Sequence, residues 1–185
     1  MRDAETVRIL RARTSAGLCG RDGLARAPGH GDDRLQTFLP DPDFSRTASL
    51  LDPKRLGKQR VEALQVFRAT HVPGYGWRHH PAAKMWRGYE EALVAYAVAI
   101  CDAWVALGHA DTVRATIVGE LGREPRPLAE LAELGLLPPW LGDEAFHRAH
   151  RSALVRKDPD RYRPLFPDVP DDLPYVWPAG RAPES

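Results

Sequence analysis

Residues 51–67 read LDPKRLGKQRVEALQVF, and this stretch decides the fold because its signals are those of a helix. Asp52 can accept from the first free backbone amides as an N-cap, and Pro53 follows with a pre-set φ and no amide to leave unpaired. Leu56, Ala63, Leu64 and Phe67 recur at helical spacing and mark a buried side. Arg55, Lys58, Glu62 and Gln65 fall three or four residues apart and so share another face, with the Glu62 carboxylate set among cations and an amide. Two readings of that face stand side by side. It is a solvated face laced with ion pairs, or it is an anion-binding surface on which Arg55, Lys58 and Arg60 hold phosphates while Glu62 acts on a sugar or base.

Outward from this helix, the 185 residues and 43% hydrophobic content suit one domain with an ordinary core. No apolar run has the length of a transmembrane helix, and the first residues lack the apolar centre of a signal peptide, so a cytoplasmic protein without a membrane partner is expected. Cys19 and Cys101 form neither a disulfide framework nor a metal-ligand spacing. The formal net charge is +1. Residues 1–34 hold 7 Arg and 5 acidic residues, which leaves 19 basic against 20 acidic residues in the remainder. A nucleic-acid partner must therefore be recognised by local clusters and not by the overall field.

Residues 1–34 are rich in Arg, Gly and Asp with little apolar periodicity, and a disordered leader or a mis-assigned start is expected there. Composition changes at Leu35, where QTFLPDPDF follows, so the folded domain is expected over 35–178, with a disordered tail over 179–185. Asp43 can cap a short helix ending near Leu51. Thr70 to Pro81 reads THVPGYGWRHHP, in which Pro73, Gly74 and Gly76 force an irregular connection. Its Trp77, Arg78, His79 and His80 either plug the edge of the core or offer stacking surfaces and donors to a nucleic-acid backbone.

A long central helix is predicted over 82–107, with Trp86, Tyr89, Leu93, Tyr96, Ile100, Trp104 and Leu107 as one apolar stripe and Gly108 as its stop. Shorter helices are predicted over 111–121 and 128–137. A last helix capped by Asp143 carries Phe146, Leu154 and Val155 inward and His147, His150, Arg151, Arg156 and Lys157 outward. No carboxylate joins the histidines at a ligand spacing, so neither a metal nor another cofactor is expected. The tail over 158–178 is rich in Pro and aromatics and is expected to wrap the helices as irregular chain. Strand alternation is absent, and the fold class is all-α.

The order LDPKRLGKQRVE, GYGWRHHP, MWRGYEEAL running into AICDAWVALGHADT, and RSALVRKDPDRYRPLF resembles the pyrimidine dimer DNA glycosylases of the phage endonuclease V type, and more closely a bacterial branch of that superfamily. The resemblance spans roughly residues 35–166. It implies a compact all-α protein that acts as a monomer on UV-damaged double-stranded DNA, cleaves a glycosidic bond and then nicks the strand as an AP lyase. In that family an N-terminal α-amine attacks the sugar and a helix glutamate stabilises the cationic intermediate. The glutamate carries over to Glu62. The phosphate roles carry over to Arg55, Lys58 and Arg60, while Gln65 stands where the family has a second arginine. The amine belongs to Gln36 if the mature chain starts there, or to residue 35 if Leu35 is the initiator. Two other classes stay open: a non-catalytic damage-recognition module on the same scaffold, and an enzyme acting on a small nucleotide-like substrate.

Overall fold

The computed structural model describes residues 35–181, in which eight helices and no strand are present. The all-α expectation holds for these residues. Helix α1 (Phe44–Leu50) starts at Asp43, whose carboxylate accepts from Arg46 N at 2.7 Å. Helix α2 (Pro53–His71) starts as its sequence predicts, with Asp52 accepting from Arg55 N at 3.1 Å and Pro53 in the first turn. It runs a turn beyond Phe67, closing where Val72 N–H reaches the Arg68 carbonyl.

The predicted helix over 82–107 is two helices. Helix α3 (Pro81–Trp86) and helix α4 (Glu90–Ala106) are separated by Arg87 to Tyr89, where Gly88 takes φ 81°, in the left-handed region that breaks a helix and favours glycine. Continuous apolar spacing hid the break, because a turn that keeps Trp86 and Tyr89 both buried leaves the stripe intact. Helices α5 (Val113–Leu121) and α6 (Leu128–Glu133) follow, α6 ending before the expected 137 at Gly135, φ 65°. Helix α7 (Glu144–Lys157) is capped by Asp143, and the tail opens with a one-turn helix α8 (Pro159–Tyr162) capped by Asp158 before it becomes irregular.

Helix α4 is the centre: α1, α2, α5 and α6 all pack on it, and α2 also packs on α3 and α5. Within the α2–α4 contact a Cβ on Gly57 would stand 2.9 Å from the Trp104 ring, so the absence of a side chain there is what lets the indole lie on α2. Leu56, Ala63, Val66 and Phe67 of α2 meet Leu93, Tyr96 and Ile100 of α4 in the same buried cluster. The described residues fall in one compact unit.

The segment over 35–40 is extended and buried along its length, with no neighbouring strand to pair with. Buried backbone groups in that position need other partners, and side chains from three helices supply them. Phe38 N–H donates to Gln59 Oε1 of α2 at 2.8 Å, and the Phe38 carbonyl lies 3.0 Å from the Tyr96 hydroxyl of α4. From α7, His150 Nδ1 accepts from Leu39 N, His147 Nδ1 donates to the Leu39 carbonyl at 2.8 Å, and Arg151 Nε donates to the Pro40 carbonyl at 2.7 Å. The Trp86 indole N–H reaches Thr37 Oγ1 at 2.9 Å. This lead-in segment thereby ties α7 to the α2–α4 pair.

The C-terminal segment is held on α7 and on itself by side chains. Ser152 Oγ accepts from Leu173 N, Arg156 donates to the Asp171 carbonyl, and the Tyr175 and Trp177 rings meet tilted by 38° with centroids 5.4 Å apart. It stays on the body past Pro178: Arg181 N donates to the Arg87 carbonyl at 2.9 Å, and a Cβ on Gly180 would stand 2.3 Å from the Lys84 carbonyl.

Candidate active site

Helix α2 gathers the candidate catalytic side chains on the face turned toward the lead-in segment. Glu62 is only 3% exposed. One of its oxygens, Oε2, accepts from Gln59 Nε2 at 2.6 Å, and the other, Oε1, lies 3.2 Å from Lys58 Nζ. Lys58 is one helical turn earlier and more than half exposed, so the pair couples solvent to a buried carboxylate. Beside it a cleft of about 300 Å³ is lined by Gln36, Phe38, Lys54, Arg55, Lys58 and Lys157. Lys157, at the end of α7, has its ammonium 6.0 Å from the centre of the Phe38 ring. Four cations from two helices thus surround an opening whose inner wall is the lead-in segment and whose neighbour is Glu62.

Burial pushes the Glu62 carboxyl up to about 7, against the opposing pull of the Lys58 ammonium, the Gln36 backbone N–H and the Lys157 ammonium. The group therefore changes charge near neutrality, where a small movement of a cation decides its state. Burial also raises the Tyr96 hydroxyl well above its ordinary value, and the Glu62 charge adds to this, so Tyr96 stays a neutral donor.

Gln36 lines the cleft beside Glu62, and its backbone N–H is one of the groups that favour the ionised carboxylate. Two and three residues on, Phe38 N and Leu39 N are anchored by Gln59 and His150.

Of the residues expected on this surface, Arg55 and Lys58 line the cleft with Gln36. The Arg55 charge is shared, since its guanidinium bonds Asp52 at 2.5 Å and Asp158 at 3.4 Å and lies over the Tyr162 ring at 5.2 Å. Arg60 is not brought there. It pairs with Asp111 at the start of α5 and lies over the Trp104 ring at 4.5 Å, because two residues along a helix from Lys58 is the opposite side. Gln65 is half-buried and does not line the cleft.

The loop residues lie elsewhere. Trp77 is half-buried against the core, and His80 is buried as the N-cap of α3, its Nδ1 accepting from Ala82 N at 3.2 Å between the edges of Trp77 and Trp177. Arg78 and His79 are exposed, and none of the four lines the cleft. The outward placement expected for His147 and His150 is corrected: both are buried and turn their ring nitrogens onto Leu39. Burial lowers both imidazoles, His150 to about 3. Among the described residues no three His, Cys, Asp or Glu side chains gather as a metal site.

Gln59, Tyr96, Lys54 and Lys157 are site residues that the sequence reading did not single out. Gln59 had a signal: it stands on the register of Leu56, Ala63 and Val66, where a polar side chain has to find buried partners.

No helix among the described residues is long and apolar enough to cross a membrane. No curated protein and no solved structure matches the chain. Residues 35–116, which run from the lead-in segment through α2 and α4 into α5 and include Gln36, Lys58, Gln59, Glu62 and Tyr96, match the family model described as pyrimidine dimer DNA glycosylase, and that match supports membership of this superfamily.

Proposed function

We propose that this protein is a DNA repair glycosylase that acts on pyrimidine dimers in duplex DNA and cuts the strand at the abasic site it makes. The observation that carries the reading is a buried carboxylate, Glu62, paired with Lys58 at the edge of a cationic cleft that Gln36 lines. In a mature chain that begins at Gln36 its backbone nitrogen is a primary amine. Its lone pair attacks the sugar C1′, the glycosidic bond breaks with its electrons going to the leaving base, and an iminium forms once the sugar ring opens. Glu62, ionised, stabilises the positive charge that develops on the sugar. The same carboxylate then takes the C2′ proton, after which the bond from C3′ to the phosphate oxygen breaks.

Lys54, Lys58 and Lys157 supply the charge that holds flanking phosphates, with Arg55 contributing less because Asp52 and Asp158 already engage it. The proposed setting is a cytoplasmic monomer on damaged duplex.

Two chains test this, one beginning at Met1 and one beginning at Gln36, each incubated with UV-irradiated and with abasic duplex in the presence of borohydride. The shorter chain is expected to form a covalent adduct that peptide mapping assigns to its terminal amine. Salt-sensitive binding with no adduct in either chain would favour a non-catalytic damage-recognition module. Neither binding nor adduct would favour a small nucleotide-like substrate.

A further inference from the structure

Gln59 is fully buried in the middle of α2, and both ends of its side-chain amide are engaged. Which end is which is fixed by chemistry. Phe38 N–H can only donate, so the group 2.8 Å from it is the amide oxygen. The same oxygen is 2.8 Å from the Tyr96 hydroxyl, whose single hydrogen is shared between Gln59 Oε1 and the Phe38 carbonyl 3.0 Å away. With the oxygen committed, the amide NH₂ must face the other way, and there it donates to Glu62 Oε2 at 2.6 Å. One rigid planar group therefore spans from the backbone two residues after Gln36 to the carboxylate.

We propose that Gln59 is a positioning residue, which sets the separation between the Gln36 nitrogen and Glu62 and holds one carboxylate oxygen so that the other remains for the cleft. The inference rests on the glycosylase reading for its catalytic meaning, but its geometry is independent of that reading. Oε1 takes no hydrogen bond from Gln59 and lies 3.2 Å from the Lys58 ammonium, a side chain that itself lines the cleft. A donor fixed on Oε2 favours the ionised carboxylate, while burial opposes it. The other groups facing Glu62 are Lys58 from α2, Lys157 from α7, the Gln36 N–H from the lead-in segment and Tyr96 from α4.

Gln59→Glu keeps an acceptor for Phe38 and Tyr96 and replaces the donor on Glu62 with a second carboxyl group. The pH profile of single-turnover base release should then move its lower limb up by about one unit, with a rate loss of about tenfold at pH 6 that largely recovers by pH 9. DNA affinity should stay within about threefold of the parent. A rate lowered by one factor at every pH, with the limb unmoved, would mean a merely structural amide and would overturn the proposal.

A second measurement does not depend on the variant folding. In the unaltered chain the Gln59 side-chain amide resonances should follow the Glu62 titration with its midpoint near 7, and lose that response in Glu62→Gln. Resonances indifferent to it would overturn the proposal as well. A parent chain that releases no base, yet whose Gln59 amide tracks Glu62, would remove the glycosylase reading and support the coupling.

Discussion

Lys58 Nζ stands 3.2 Å from Glu62 Oε1, and the two ends of this pair live in different media: the ammonium is more than half in water and the carboxylate is almost wholly out of it. Such a pair is not a surface ion pair of negligible worth, because the carboxylate has lost its hydration and depends on few neighbours for its charge. Nor is it a sealed interior pair, since the Lys58 ammonium remains in water. On the proposed function, a Lys58 drawn toward a phosphate would leave Glu62 easier to protonate and so link substrate binding to the carboxylate's charge.

The first prediction concerns that carboxylate. Glu62→Gln removes the charge but keeps an acceptor for Gln59, so the fold and DNA binding should persist while single-turnover base release and strand cutting fall by at least about a hundredfold. The loss should appear in rate at saturating DNA. Turnover equal to the parent's would end the catalytic assignment.

The same substitution has a stability signature. The Glu62 carboxyl is raised from an ordinary 4.5 to about 7 by burial, so the stability it lends is fully present below about pH 4.5 and is lost as pH rises through 7. The span is about 3 kcal/mol. Urea unfolding of parent and Glu62→Gln at pH 5 and pH 8.5 should show the variant gaining on the parent at the higher pH by an amount of that order. A constant difference between them would place Glu62 in a better solvated site than the one described.

Salt dependence separates the cations. Lys54→Ala, Lys58→Ala and Lys157→Ala should each reduce the slope of log affinity against log salt by about 1, the counterion released at one phosphate contact. Arg60→Ala should leave the slope alone and lower stability by about 1 to 3 kcal/mol, because it strips Asp111 of its cationic partner, leaving only backbone donors such as Arg114 N–H, and Trp104 of the guanidinium over its ring. Fluorescence anisotropy at several salt concentrations reads the first effect and thermal unfolding the second. An Arg60 variant with a reduced slope would put that residue back on the DNA face.

Helix α2 was legible in sequence because its determinants are local. Asp52, Pro53 and the apolar spacing need no knowledge of the rest of the chain. Glu62 and Lys58 were legible as a pair for the same reason, one turn apart. The burial of Glu62 was not, since it depends on the lead-in segment over 35–40, and a segment whose partners are side chains 21 to 111 residues away leaves no periodic trace. His147 and His150 read as outward for that reason: they are polar, and what they bind is the Leu39 backbone. Arg60 is close to Lys58 in sequence but about 200° from it around the helix, so a phosphate role for both does not follow from their proximity. The break between α3 and α4 is hidden because Trp86 and Tyr89, on either side of Gly88, are both buried and keep the apolar stripe continuous.

Close approach at Gly57 gives a prediction on the scaffold. Alanine there would gain up to about 1 kcal/mol in helix propensity. Its Cβ would also stand 2.9 Å from Trp104, which must then move off α2 together with the Arg60 guanidinium. A net loss of about 1 to 2 kcal/mol is expected, since the strain of overpacking exceeds the propensity gain. Chemical denaturation measures it, and a more stable variant would show that Trp104 yields freely.

The last prediction concerns the histidines behind the lead-in segment. His150 Nδ1 accepts from Leu39 N, which requires the neutral ring, and burial lowers its imidazole from 6.5 to about 3, with the nearby His147 adding to the shift. A lowered histidine favours folding while both states are neutral. That contribution is therefore present above about 6.5 and is lost progressively as pH falls toward 3, by an amount on the order of a few kcal/mol. His147, also lowered by burial, acts in the same direction. Glu62 acts oppositely between 4.5 and 7, so the parent should have a flattened stability profile there and fall steeply below 4.5. His150→Asn places an acceptor near the position of Nδ1 and cannot be protonated. It should cost stability at pH 8 through the smaller side chain beside Phe146 and Tyr175, yet lose less than the parent between pH 6.5 and 4. Parallel profiles for the two proteins would mean that His150 does not resist protonation, and the anchoring of Leu39 would then need another explanation.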